Sequence, residues 1–409
     1  MSSESTTITT QQKKGFVAAW LGWAFDGLDG FMYTLIALPV VTSLMHQTSP
    51  NDEVKQKAAL IQAVFLVGWA LGGLVFGRIG DIIGRTKTLN LTILTYAIFT
   101  GLAYFSTEWW HLLIFRFIAA LGIGGEWAAG AALVGETLHR KYRHWASAIL
   151  QSGYMFGMIL AAFAVKGLAG FGDEKLVFLV GVIPAFLTLW IRKSVPEPEE
   201  WAENRKKQAV PKITELFKGE TLKRTLQVLT VSSICLCGVW TLLYFSNVLI
   251  RTHPENAGLA PAVIANQVSN FTLIFVCINI VGNFFTAWLT NKIGFRKGFL
   301  AIFAVSFAAF AIGFYQPLGL AASIGWFYVL AFFALGVFGA FPLYFPMLFP
   351  TLLRTTGAGF CYNIGRVVTA VATLSLAALP PQQIIFFTGF LYIPAILIAL
   401  TLPELPTED

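Results

Sequence analysis

Charge is scarce in these 409 residues. Asp, Glu, Lys and Arg together make up 12% of the chain, where a soluble globular protein carries roughly 25%. That scarcity excludes a water-solvated fold of this length. Metal and thiol chemistry is thinly provided for as well, with four Cys and five His. Cys235, Cys237, Cys277 and Cys361 all sit inside apolar runs, lack metal-ligand spacing and read as small buried residues. His46, His111, His139, His144 and His253 fall at run ends or in loops, so none is assigned a proton role. No nucleotide-binding motif, pore loop or nucleophile–base spacing is visible, which leaves an intramembrane enzyme without machinery. A cleaved leader is not expected either. The first fifteen residues are polar, and the apolar run after them is too long for a signal-peptide core.

What the sequence does have is hydrophobic length. The chain is 56% hydrophobic, with a mean hydropathy of +0.69, and apolar runs of about 20 residues recur along it. This predicts an all-α polytopic membrane protein. The 37 Phe and 37 Gly suit lipid-facing surface and close helix packing. Twelve spans are expected, at 16–45, 58–79, 87–105, 110–136, 146–168, 175–194, 224–250, 265–290, 298–315, 322–349, 356–379 and 382–402. With the amino terminus inside, cytoplasmic segments hold 21 of the 28 Lys and Arg, external loops hold five, and Arg116 and Arg366 remain within spans. This asymmetry sets the orientation, with both termini cytoplasmic. It also explains the net charge of +7 without nucleic acid as a partner.

The polar segment at 195–223 divides the chain into two six-helix halves, 1–194 and 224–409. The first half is organised around Gly77-Arg78-Ile79-Gly80-Asp81-Ile82-Ile83-Gly84-Arg85-Thr86-Lys87, a glycine-rich charged turn between two apolar runs. Roughly 210 residues later, Asn291-Lys292-Ile293-Gly294-Phe295-Arg296-Lys297 is a degraded copy. Repeated halves with a binding site between them near the midplane are how transporters of this kind are built.

The spacing G-x-x-x-D-x-x-G-R in the first turn resembles the loop between helices two and three of the major facilitator superfamily. Further likeness follows. Phe25-Asp26-Gly27-Leu28-Asp29 is similar to an element of organic-acid symporters. Arg116-Phe117 with Gly122-Ile123-Gly124-Gly125-Glu126 is similar to the superfamily's fourth helix. Val195-Pro196-Glu197 with Glu200-Trp201, and Leu348-Phe349-Pro350-Thr351 with Arg354 and Asn363-Ile364-Gly365-Arg366, resemble the sialate:proton symporter group, which includes lactate and pyruvate permeases. The resemblance implies two pseudo-symmetric six-helix bundles. It also implies that Asp81 and Arg85 belong to a charge network closing the cytoplasmic side; a static topological anchor is the alternative. Met347 stands where many relatives carry Glu, so the second half's share of that network is expected to be thinner.

Ionisable residues inside spans are costly and usually face a cavity or a partner. Asp26 and Asp29 are three apart and share a helix face with Gly22 and Tyr33. Asp29 lies about 20 Å from the cytoplasmic end of its span, and Arg116 lies about 10 Å in from the outside. Across a core of ~30 Å these depths coincide, so the two residues are expected to pair. Such a pair can load and release a proton when the protein changes shape, or it can be a static salt bridge. Glu126 is a neutral buried acid, a second proton site or a partner for Arg366. Arg366 lies about 16 Å into span eleven, in a half with no acid inside its spans. A guanidinium there suits bidentate grip of a carboxylate. Tyr362, Asn363, Thr369 and Thr373 flank it on a polar stripe. Tyr244 and Asn247 in span seven, and Asn279 and Asn283 in span eight, are further cavity candidates, each equally readable as packing glue.

The sequence therefore predicts a monomeric, proton-coupled symporter in a bacterial inner membrane. It would take up a small organic anion, such as the monocarboxylates lactate or pyruvate, by alternating access. Asp26, Asp29, Arg116 and Glu126 would handle the proton. Arg366, Asn363, Tyr362, Tyr33, Tyr244, Asn247 and Asn279 would line the substrate site, and no cofactor beyond the proton is expected. A sialic acid or aromatic acid symporter, an exporter or exchanger of amphipathic compounds, and a membrane sensor are the rivals.

Overall fold

The first helix begins at a reciprocal cap. The Thr9 hydroxyl accepts from the Gln12 N–H, and the Gln12 side chain accepts from the Thr9 N–H, which satisfies two donors that a helix start leaves without partners. The computed structural model describes residues 8–168, 171–376 and 379–405, and shows helices and turns with no strand among them. The expected side-chain position of Thr373 lies outside the described residues.

Among the described residues, helices occupy all twelve expected positions. In the first half they are Thr10–Leu44, Asp52–Ile83, Arg85–Ala103, Trp109–Thr137, Arg140–Leu168, and a sixth broken into Val177–Val180 and Pro184–Ser194. In the second half they are Gly219–Thr252, Pro261–Ile293, Phe295–Phe314, a tenth running from Leu320 to Met347, Arg354–Leu376, and a twelfth made of Pro381–Phe390 and Tyr392–Ala399. Nine described helices are long and apolar enough to cross a membrane on composition alone. The other three spans are those interrupted or loaded with polar groups: span three carries Arg85, Lys87 and Asn90, span six breaks at Gly181, and span eleven carries Asn363 and Arg366. Several helices overrun the expected ends. Span five starts at Arg140 rather than 146, and span seven at Gly219 rather than 224. Polar helix ends continue past the apolar core.

Spans two and four, and one and five, pack together in the first bundle; spans seven and eleven, and nine and twelve, do so in the second. Across the bundles, span two meets span eleven and span five meets span eight. Span two makes these contacts with two separate glycine faces. A Cβ at Gly68 or Gly72 would come within 2.6 or 2.1 Å of the Phe117 or Leu121 carbonyl on span four. Gly73, Gly77 and Gly80, turned around the helix, lie on Asn363 and Thr355 of span eleven. The glycines thus serve both packing inside a bundle and the seam between bundles.

Span ten is irregular at its middle. A π-helical turn at Ala331–Leu335 runs into a 3-10 turn at Gly336–Ala340, where Gly336 and Gly339 rest on the backbone of Gly282 and Asn283 in span eight. Mid-helix breaks of this type often mark a hinge.

Candidate functional site

The turn between spans two and three is built by Gly84, whose φ of +112° strains any side-chain-bearing residue. It brings Arg85 back over Asp81, one helical turn away. Both are fully buried. The Arg85 guanidinium donates to Asp81 Oδ1 (3.1 Å) and the Gly80 carbonyl, and grips Glu136 through Nε (3.0 Å) and Nη2 (2.7 Å). It also crosses to the second bundle at the Thr351 carbonyl (2.5 Å). Asp81 accepts from the Thr356 N–H (2.9 Å) and hydroxyl (2.6 Å) and from the Thr355 N–H. Arg354 answers from the second bundle, donating to Glu200 (2.6 Å) and Glu136 (3.3 Å). Met347 lies against Gly135; the second half enters the network through Arg354, the Thr351 and Thr356 hydroxyls and backbone groups, and the acids come from the first half and the linker.

The linker takes part directly. The Trp201 indole donates to the Asp81 carbonyl (3.1 Å) from the linker helix Glu199–Lys207. Glu197 accepts from the Thr86 and Lys87 N–H groups at the start of span three. Burial raises its carboxyl above the ordinary value, and those N–H groups work against the rise. The copy in the second half is equivalent: Gly294 has φ +85°, and Glu404 accepts from the Phe295 and Arg296 N–H groups. Arg85→Leu would leave Asp81 a buried acid without its cation and Glu136 with Arg354 alone, a cost of about 3–5 kcal/mol. The expected result is a face that opens. A maleimide should label Met347→Cys, with Cys277→Ser removing the exposed thiol, much faster in Arg85→Leu; an unchanged rate would show that the network does not hold this face shut.

Deeper in, Asp29 and Arg116 form the expected pair. Arg116 Nη1 meets both carboxylate oxygens at 3.0 and 2.8 Å, its Nη2 meets the Asp29 carbonyl, and Thr100 donates to Oδ1 at 2.6 Å. The guanidinium is packed over the rings of Phe65 and Tyr33. Spans one, three and four therefore bury this pair within the first bundle. Asp26, one turn nearer the basic face, is next to Glu126. The Glu126 carboxyl fills the space over Gly22, where a Cβ would lie 1.7 Å from Oε1. Both acids are buried, and apart from each other none of their four carboxyl oxygens has a hydrogen-bond partner among the described residues.

Arg366 lies between the bundles. Its guanidinium is 4.3 Å from the Trp69 ring centre in the first bundle and 4.7 Å from Tyr362 on its own helix. It donates to Asn363 Oδ1. No carboxylate lies within salt-bridge distance of it among the described residues, although Asp26 is close enough to act on it. Trp127 of the first bundle stacks on Tyr362 at 4.1 Å and 13°, and Tyr154 joins Trp69 to Trp23. The indole N–H groups of Trp23, Trp69 and Trp127 are buried without a partner among the described residues. A cation and three N–H donors thus lie among one set of rings, with Asp26 near the cation.

Other expected lining residues are elsewhere. Tyr33 is inside the first bundle with its hydroxyl on the Ala58 carbonyl and its ring under Arg116, because four residues on from Asp29 it shares the face that Asp29 turns into that bundle. Asn279 is buried against span ten, donating to Ala331 at 3.4 Å. Asn247 bonds back to Leu243 in its own helix, and Tyr244 is exposed with its ring edge-on to Phe245. No described contact joins any of these four to Arg366. The enclosing rings, Trp23, Trp69, Trp127 and Tyr154, and the gate acid Glu136 were not singled out from the sequence. The available signal was a tryptophan three residues before Asp26 and another directly after Glu126.

The contacts described between the bundles include Arg85–Thr351, Asp81–Thr356, His144–Thr290, Ser147–Leu343, Asn363–Gly124 and Arg366–Trp69. They lie from the level of Arg366 to the basic face, so that face is closed.

Comparison with known proteins agrees with this geometry. The sequence profile of the Major Facilitator Superfamily matches residues 19–358. The chain is 31% identical to the sialic acid transporter NanX of Escherichia coli (strain K12), over 88% of this chain and 85% of that protein. It is equally 31% identical to a probable 4-methylmuconolactone transporter of Cupriavidus pinatubonensis (strain JMP 134 / LMG 1197), over 90% and 84%. The structure of the proton:xylose symporter XylE bound to 6-bromo-6-deoxy-D-glucose superposes with a TM-score of 0.71 at 18% identity, covering 97% of this chain and 96% of that one, and so shares the fold. The chain belongs to the Major Facilitator Superfamily and is a secondary transporter with its twelve-helix, two-bundle architecture, not an enzyme.

Proposed function

We propose that this protein is a proton-coupled symporter that takes up a small organic anion by alternating access. The observation that carries the reading is Arg366. A buried guanidinium without a carboxylate partner among the described residues, held between rings of both bundles, is costly unless an anion completes it. Its fork suits a carboxylate, and the indole N–H groups around it can take the remaining lone pairs.

The proton belongs to the first bundle. Two buried carboxyls side by side cost less with one proton between them than as two carboxylates, so Asp26 and Glu126 form a proton site facing Arg366. Asp29 and Arg116 are its neighbouring switch. When the anion neutralises Arg366 and the acids hold their proton, the midplane carries little net charge, and the loaded protein can rock. The basic face is cytoplasmic, with both termini on it. The protein works as a monomer of two bundles, 1–194 and 224–409, joined by the linker 195–223. The proton is its only coupling species.

A small monocarboxylate such as lactate or pyruvate satisfies this site. A second reading, a larger, unsaturated or aromatic acid, is favoured by the stacked Trp127–Tyr362 rings beside Arg366. Relatives are named as sialic acid, muconate and niacin transporters. An exporter of amphipathic compounds would tolerate loss of Arg366. The test is uptake of labelled lactate, nicotinate and N-acetylneuraminate into sealed proteoliposomes with and without an inward proton gradient. Accumulation of one of them only with the gradient is expected, and uptake that persists unchanged without it would sink proton coupling.

A further inference from the structure

Asn363 is buried, and its side chain touches three things at once. Its Oδ1 accepts from Arg366. Its Nδ2 donates to the Gly359 carbonyl on its own helix (2.8 Å) and to the Gly124 carbonyl of span four, in the other bundle (3.2 Å). It sits where Gly73 of span two has no side chain: a Cβ there would be 1.9 Å from Nδ2 and 2.5 Å from Cγ. Gly124 is itself pressed on the span two backbone, where its own Cβ would be 2.1 Å from the Trp69 carbonyl. The first bundle thus offers a socket, made by Gly73 and Gly124, that fits one amide.

We propose that Asn363 is a positioning residue that aims the Arg366 guanidinium only while the basic face is closed, because its socket exists only when span eleven is seated on spans two and four. The inference rests on Arg366 being the anion anchor. When the basic face opens, span eleven leaves the socket. Asn363 then loses the Gly124 carbonyl and Arg366 loses the Trp69 ring in the same movement. An anion is therefore held more tightly by the closed protein than by the opened one. By linkage, the factor by which closure strengthens anion binding equals the factor by which the anion strengthens closure. Release toward the basic side follows from the motion itself, without a separate trigger at the site.

The test uses the full chain carrying Cys277→Ser and Met347→Cys. Binding of lactate or nicotinate, whichever gives wild type the larger melting shift, is measured alongside the rate of maleimide labelling at position 347. In wild type the anion should slow labelling. In Asn363→Ala, binding should weaken about tenfold, the typical loss for a hydrogen bond to a charged group, and the anion should no longer slow labelling. Gly73→Ala, acting from the other bundle, should speed labelling and weaken binding together. In Gly73→Ala/Asn363→Ala, labelling should return toward the Asn363→Ala rate, since the amide that clashed is gone. Asn363→Ala with wild-type affinity and an intact anion effect on labelling would overturn the inference. Unchanged affinity in Arg366→Ala would instead remove the anchor beneath it, and failure of both acids to bind wild type would remove both.

Discussion

Arg366→Ala is expected to abolish stabilisation by the transported carboxylate and to cut uptake by a hundredfold or more. Losing one partner of a buried charge pair costs about 2–5 kcal/mol, and each 1.4 kcal/mol is a factor of ten. Arg366→Lys keeps the charge but not the planar fork, nor its stacking between Trp69 and Tyr362. It should therefore recover only part of the binding, through a weaker, single-point grip. A melting screen against small carboxylates and an uptake assay on the same preparations read both effects. Equal stabilisation of wild type and alanine variant would move the anchor elsewhere, with Arg116 next in line. Loss of all carboxylate effects with retained binding of amphipathic compounds would replace symport by export.

The second large effect is at Asp29 and Arg116. Asp29→Asn leaves a buried guanidinium without a counter-charge, its remaining partners being one amide oxygen, the backbone carbonyl of position 29 and two ring faces. The expected loss of stability is about 3–5 kcal/mol, visible as a fall in melting temperature. Replacing both members, as Asp29→Asn with Arg116→Met, removes the unpaired charge and should restore most of that stability. The pair's role then separates cleanly. If it switches a proton, the double variant exchanges substrate across the bilayer but no longer accumulates it on a proton gradient. If it is a static salt bridge, gradient-driven accumulation returns with the stability, and the proton function belongs to Asp26 and Glu126 alone.

Much of this was legible in one dimension. The spans and the Asp29–Arg116 pair follow from apolar length and rise per residue, because two charges at equal depth in facing helices have few other partners. The turn at Asp81 and Arg85 was legible from its glycines, since Gly84 must take a backbone conformation that other residues resist. What a single helix cannot show is rotation against its neighbours. Tyr33 shares a sequence stripe with Asp29, yet it spends its hydroxyl on span two. The rings around Arg366 come from spans one, two, four, five and eleven, and no spacing within one span announces that they meet. Glu136 stands at a helix end, where an acid looks solvated; only the approach of Arg85 and Arg354 from two other elements makes it the centre of the closed face.

The seam between the bundles also has a bearing on speed. Where spans two and eleven cross beyond the Asn363 socket, Gly77 and Gly80 present backbone rather than knobs. Interlocked side chains would have to leave their rotamers before the surfaces could part, and that rearrangement would add to the barrier. A bare backbone track separates without it, while close approach keeps dispersion contacts dense when the surfaces are together. Gly77 and Gly80 therefore lower the activation cost of the stroke more than they alter its end states, and turnover number is the quantity this part of the seam sets, while affinity is left to the Gly73 socket.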